Sequence, residues 1–207
     1  MSIVTLNDRG VRSVTAFGSL NTGSMVFIKK LTASSSSTLS FVNGSSSVVL
    51  DSTYKEYLFT FKDIHPSEQA SLQVNFSADT GSNYNVTKTT TNFEAYHNEA
   101  GNDSSLNYSA SGDLAQGTGT QHLTGQSANI GADNDQSAAG TLHLFNPSST
   151  TFVKHFISRF NQNEERDYSW QRFVAGYCNT TSAVDAVQFS MSSGTIASGD
   201  ICLYGIL

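Results

Sequence analysis

The sequence predicts an all-β protein: an antiparallel β-sandwich, jelly-roll-like, with an extended N-terminal arm. Three observations carry this. Ser and Thr make up about a quarter of the 207 residues and charged residues only 14%, against roughly 25% charged in an average globular chain. Such a composition is poor helix material. The 13 Phe and 8 Tyr, with Val and Thr, suit a pleated, half-buried surface. Finally, apolar residues recur at every second position over many short segments, the period of a strand.

Along the chain, residues 1–24 lack aromatic density apart from Phe17 and end in Asn21-Thr-Gly-Ser24. They are read as the arm, either an anchoring segment that docks on a neighbour or an ordinary frayed or edge-strand terminus. Residues 25–207 form the single sandwich domain. Strands are expected at Met25–Ala33, Thr38–Val42 and Ser47–Leu50, with the serine tracts Ser34–Ser37 and Ser45–Ser47 as turns flanking a hairpin. Lys55–Asp63 sets Tyr57, Phe59 and Phe61 opposite Leu58 and Thr60. Ser71–Ser77 sets Leu72, Val74 and Phe76 opposite Gln73 and Asn75. Asp79-Thr-Gly-Ser82 then reads as a hairpin-type connection to Thr87–His97. Gly101–Ala139, poor in large apolar residues, reads as long loops with one short strand within Gly119–Gly125. In Thr141–Phe145, Leu142 and Leu144 oppose His143 and Phe145. In Thr151–Phe160, Val153, His155, Ile157 and Arg159 alternate with Phe152, Lys154, Phe156, Ser158 and Phe160. Asn161–Arg166 is expected to make one turn. Tyr168–Cys178, Ala186–Met191 and Asp200–Leu207 complete the strands. Trp170, in a strand-like segment, is assigned to the core. The absence of long helical segments between strands favours an antiparallel sandwich.

Composition narrows the function classes. Lys and Arg number 11 against 17 Asp and Glu, giving a net charge of −6, which disfavours nucleic-acid binding through a basic face. No window approaches the roughly 18 apolar residues of a membrane span. Two cysteines do not make a disulfide scaffold; Cys178 and Cys202 are expected as buried free thiols.

Catalytic motifs fail one by one. There is no G-x-S-x-G elbow. His65, His97, His122, His143 and His155 are scattered singly rather than spaced as zinc ligands. Asp133-Asn-Asp135 opens like a calcium loop. The sixth and twelfth positions, however, hold Ala138 and Leu144 where an EF-hand needs Gly and Glu. Asp133 and Asp135 remain the only weak metal candidates, and a solvated acidic turn is the simpler reading. Gly117-Thr-Gly119 lacks the third glycine of a dinucleotide motif. A glycosidase carboxylate pair is a matter of geometry; adjacent Glu164 and Glu165 would face opposite ways in a strand and be solvated in a loop. No enzyme activity and no cofactor are therefore expected. Aromatic side chains on loops stack on sugars, and Tyr84, Tyr96, Tyr108 and Tyr168 are the candidate binding residues.

Several segments carry a family resemblance: Tyr57–Pro66 (YLFTFKDIHP), Asn92–Ala100 (NFEAYHNEA), Asp113–Gln116 (DLAQ), Leu144–His155 (LFNPSSTTFVKH), Ala175–Ala183 (AGYCNTTSA) and Val187–Gly194 (VQFSMSSG). Over most of residues 20–207 the chain resembles a family of virion structural proteins of marine tailed bacteriophages, especially those infecting cyanobacteria. The resemblance implies a non-enzymatic virion part, assembled in the bacterial cytoplasm, and carries no catalytic residues. The expected roles are a capsid decoration or head-fibre protein, or a compact fibre knob. A carbohydrate-binding tail-fibre adhesin contacting a host surface glycan is the alternative. A homotrimer is expected, with residues 1–24 docking on other virion proteins. No coiled-coil or repeat stalk is present. The apolar C-terminal strand, Ile201–Leu207, is expected to end in a sheet or subunit interface.

Overall fold

The computed structural model describes residues 24–126 and 128–207. The arm, residues 1–24, therefore lies outside the described residues except for Ser24. Twelve strands follow one another: β1 (Met25–Thr32), β2 (Thr38–Val42), β3 (Glu56–Pro66), β4 (Leu72–Ser77), β5 (Lys88–Asn98), β6 (Ser104–Tyr108), β7 (Gln121–His122), β8 (Ala138–Phe145), β9 (Lys154–Glu164), β10 (Tyr168–Cys178), β11 (Ala186–Met191) and β12 (Ile196–Ile206). One short 3-10 turn, Ala110–Gly112, lies between β6 and β7. The fold is all-β, and the strands form two antiparallel sheets. The larger has eight strands in the order β1-β12-β3-β8-β9-β10-β5-β6; the smaller has four, β2-β11-β4-β7.

Aromatic rings hold the sheets together. Phe59, Phe61, Phe156 and Phe160 face inward from the larger sheet, and Phe41, Phe76 and Phe189 from the smaller; all are at most 2% exposed. Phe189 is the hub, with ring centroids 5.0 Å from Phe61, 5.4 Å from Phe59 and 6.2 Å from Phe41, all near edge-to-face. That geometry suits the aromatic quadrupole, and burying each ring contributes about 1.5–3 kcal/mol.

Several expectations are corrected. Ser47–Leu50 is not a strand. Val48 and Leu50 are buried, but local turns take up the backbone: Val48 N–H donates to Ser45 O at 2.9 Å and Leu50 N–H to Asn43 Oδ1 at 2.9 Å. The serine tracts flank no hairpin, because β1 and β2 lie in different sheets and β2 pairs with β11. Asp79–Ser82 does turn, with Ser82 N–H donating to Asp79 O. The chain then crosses from the smaller sheet (β4) to the larger (β5), so this is no hairpin. β9 runs through Glu164, and the turn shrinks to Glu165–Asp167, with Asp167 at φ 65°, the left-handed residue of a three-residue hairpin loop.

Gly101–Ala139 is more than loops. It contains edge strand β6, and its remainder covers the inner face of β5, β9 and β10. That face carries the buried polar groups Thr90, Asn92, Ser158, Gln162 and Arg172. Arg172 donates to Asn92 Oδ1 (2.9 Å), Thr124 O (3.0 Å) and Ser109 Oγ (3.0 Å). Gln162 accepts from Gly125 N–H at 2.8 Å and donates to Ala128 O at 2.5 Å. These bonds substitute for an apolar core where the two sheets no longer overlap.

Candidate functional site

The outer faces of the two sheets differ. On the smaller sheet the outward residues of β2 and β11 are Thr38, Ser40 and Val42, and Ala186, Gln188 and Ser190, mostly small polar groups suited to water. On the larger sheet the outward side is rich in apolar and aromatic groups. Cross-strand pairing aligns one row through Phe27, Tyr204, Leu58, His143, Ile157 and Ala175. A second row runs through Thr60, Thr141, Arg159, Phe173, Phe93 and Tyr108. Directly opposed residues share a face, so both rows point outward. Phe27 is 57% exposed, Ile157 52% and Leu106, on the opposite edge strand β6, 71%. Phe93 and Phe173 stack with centroids 4.6 Å apart. Together with Ile157 and Ala175 they line a shallow trough of about 460 Å³.

Several charges on this face have close polar or aromatic neighbours. Glu56 Oε1 accepts from His143 Nδ1 at 2.6 Å. Asp200 lies 3.0 Å from Lys30 Nζ and accepts from Thr32 Oγ1; these contacts, Thr32 first, hold its carboxyl below the usual range. The Arg159 guanidinium sits 5.5 Å over the Phe173 ring, within cation–π range.

The tyrosines expected to bind sugar do not converge. Tyr84 lies in the β4–β5 connection, where its carbonyl accepts from Asn75 Nδ2 at 2.6 Å. Tyr108 ends β6, with its hydroxyl on the Asp113 carboxylate. Tyr96 and Tyr168 do meet, with centroids 5.8 Å apart. They meet around Trp170, whose ring stacks on Tyr96 at 4.3 Å. Trp170 is therefore not a core residue, as expected from its strand, but half-buried at the far end of β10. Its Nε1 has no hydrogen-bond partner within the described chain. Tyr168 donates to Asp103 Oδ2 at 2.9 Å, and Arg166 lies 5.5 Å over its ring. Beside Tyr168 is a polar hollow of about 230 Å³ lined by His97, Asn98, Asn161, Asn163 and Ser169.

Asp133 and Asp135 are exposed in the β7–β8 connection. Gln136 fills that turn, its N–H donating to Asp133 O at 2.9 Å and its Oε1 accepting from Asp133 N–H at 3.1 Å. Among the described residues no three His, Cys, Asp or Glu side chains come close enough to hold a metal.

The buried ionisable groups serve packing. Cys178 pairs across its strands with Lys88 and Lys154, and all three are fully buried. Burial pushes the Cys178 thiol up to about 12, far from a thiolate nucleophile at neutral pH. Burial also pulls Lys88 down to about 8. Its Nζ donates to Asn75 Oδ1 at 2.6 Å and Val86 O at 2.7 Å. Cys178 and Cys202 are both free and buried, as expected from the sequence.

The outward aromatic rows were not singled out from the sequence. The available signal was parity: in NFEAY and QRFVA, Phe93 and Phe173 alternate with Asn92 and Arg172. Only a buried polar layer on the other side turns the phenylalanines outward. Compared with known proteins, the chain matches no family model, no curated protein and no solved structure. No helix among the described residues is long and apolar enough to cross a membrane.

Proposed function

We propose that the chain is a non-enzymatic structural protein of a tailed-bacteriophage particle, carried on the exterior as a decoration, head-fibre or compact knob module. The observation that carries this reading is the broad, low-charge outer face of the eight-stranded sheet. A protein that works by contact needs such a face. The resemblance of the segments from Tyr57 to Gly194 to marine phage virion proteins supplies the setting. The strand order supports the jelly-roll reading: β1-β12-β3-β8 faces β2-β11-β4-β7. That is an eight-stranded double sheet, with β9, β10, β5 and β6 added to one side. The homotrimer and the docking of residues 1–24 on other virion proteins belong to the same proposal.

A second reading, a glycan-binding adhesin, is favoured by one feature. The polar hollow beside Tyr168 brings Asn98, Asn161 and Asn163 next to one tyrosine. Amides for sugar hydroxyls and an aromatic edge for the ring face are the groups a sugar site uses.

Antibody labelling of purified particles, viewed by electron microscopy, separates these possibilities. Label at regular positions on the capsid is expected for a decoration protein. Label confined to the tail tip favours the adhesin. Particles without label overturn the virion reading.

A further inference from the structure

We infer that the outer face of the eight-stranded sheet is where one copy of this chain packs on another. The inference deepens the reading of the protein as a contact module and names the partner of that face.

The argument starts from what each face shows to water. The outer face of β2 and β11 in the smaller sheet is mostly Ser, Thr and Gln, with Val42 and Ala186 at one end. The larger sheet instead exposes Phe27, Phe93, Leu106, Tyr108 and Ile157. Scattered apolar residues on a surface are ordinary; here Phe27, Tyr204 and Leu58 adjoin in one row and Phe173, Phe93 and Tyr108 in the next, across one sheet face.

Area comes next. Eight strands at about 4.8 Å spacing span about 38 Å, and three outward rows about 6.8 Å apart cover about 20 Å. The third row contains Met25, Ile206 and Phe145. The product is about 800 Å², the contribution each partner makes to a standard stable interface.

Charge decides for a second copy. A basic or acidic partner would call for a face of opposite sign. Here Glu56 contacts His143, Asp200 lies between Lys30 and Lys62, and Arg159 lies over Phe173, so the face carries both signs in near balance. Two copies of this face meet with little like-charge opposition despite the overall charge of −6. Ile157, on β9, lies near the middle of the face, the place of interface hot spots, and the stacked Phe93–Phe173 pair lies from there toward the β6 edge.

The test uses the full chain. Light scattering after size exclusion, from about 10 nM to 100 µM, measures mass against the 22.2 kDa of one chain; the span covers the weaker part of the micromolar-to-picomolar range of interface affinities. A mass of two or three chains is expected. Ile157→Asp and Phe93→Asp alter exposed side chains and are each expected to weaken association by about thirtyfold or more. Gln188→Glu, on the outer face of the smaller sheet, is the control and leaves the mass unchanged. Circular dichroism confirms that the variants remain folded. A wild-type monomer at about 100 µM overturns the inference, whether the face is bare or covered by another segment. An oligomer that both Asp variants leave intact overturns it as well. A monomer also removes the homotrimer from the proposed function, but neither result touches the placement on a virion, which particle labelling tests separately.

Discussion

Arg172→Met probes the polar layer that replaces an apolar core beyond the overlap of the sheets. Arg172 is 2% exposed. Its guanidinium holds Asn92 of β5 and two points on the covering segment, Thr124 O and Ser109 Oγ. It also lies 3.2 Å from Glu94 Oε2, whose side chain is 14% exposed. Methionine keeps the volume of the stem but leaves that carboxylate and a buried carbonyl without partners. Breaking a buried pair from one side costs about 3–5 kcal/mol. The residual exposure of Glu94 places this case near the lower figure, about 3 kcal/mol. Urea unfolding at pH 7, followed through the single Trp170, measures it. With a slope of about 2–3 kcal/mol/M, the midpoint falls by about 1 M or slightly more. Arg172→Met with Glu94→Gln removes the stranded charge and is expected to recover about 1–2 kcal/mol of the loss. A loss below about 1 kcal/mol for the single variant, or a double variant as unstable as the two losses summed, refutes the reasoning.

Other expected outcomes follow from the same structure. Burial, with Arg172 nearby, pulls His122 down to about 4 from 6.5. As pH falls from 6.5 to 4, the unfolded chain therefore takes up a proton that the fold refuses, and stability drops by about 1–2 kcal/mol after solvent screening. Urea midpoints for wild type and His122→Gln at pH 7 and 4.5 isolate this term. Phe189→Ala removes the hub of the ring cluster and is expected to cost about 3–5 kcal/mol, read from the same unfolding curves. Gly199 has φ 117°, and a Cβ there would lie 2.7 Å from Asp63 O. Gly199→Ala is expected to lower stability by about 2 kcal/mol or more, seen as a lower melting temperature. Both thiols are expected to resist a thiol-reactive dye in the native protein and to react once unfolded; rapid native labelling of Cys178 would contradict its burial.

The sandwich was legible because β3, β4 and β8 carry clean alternation. Tyr57, Phe59 and Phe61 point inward as expected, and Leu142 and Leu144 do the same. β9 shows where legibility ends. Its alternation was visible, but polarity misassigns several positions: Lys154, Ser158 and Gln162 face inward while Ile157 faces out. The reason is the polar covering layer, contributed by residues far along the chain. Trp170 failed for the same reason, since its strand runs past the apolar core into that layer. β6 was missed because an exposed edge strand reading SSLNY has no buried side to impose a period. Tyr96 and Tyr168 were candidates on residue type alone. That they meet around Trp170 depends on the β5–β10 register, which no local pattern specifies. The outer face escaped for a related reason, since its rows exist only once β1, β12, β3, β8, β9, β10 and β5 stand side by side.

The most direct measurement is a density map of phage particles carrying the chain, at a resolution that shows individual strands. It is expected to show the sandwich on the particle exterior in symmetric copies. The outer face of the eight-stranded sheet should be covered by protein, and the Ser/Thr/Gln face of the smaller sheet should be wet. A map in which the sandwich is absent, or stands alone with Phe93, Ile157 and Phe173 open to solvent, would contradict both the contact role and its assigned surface.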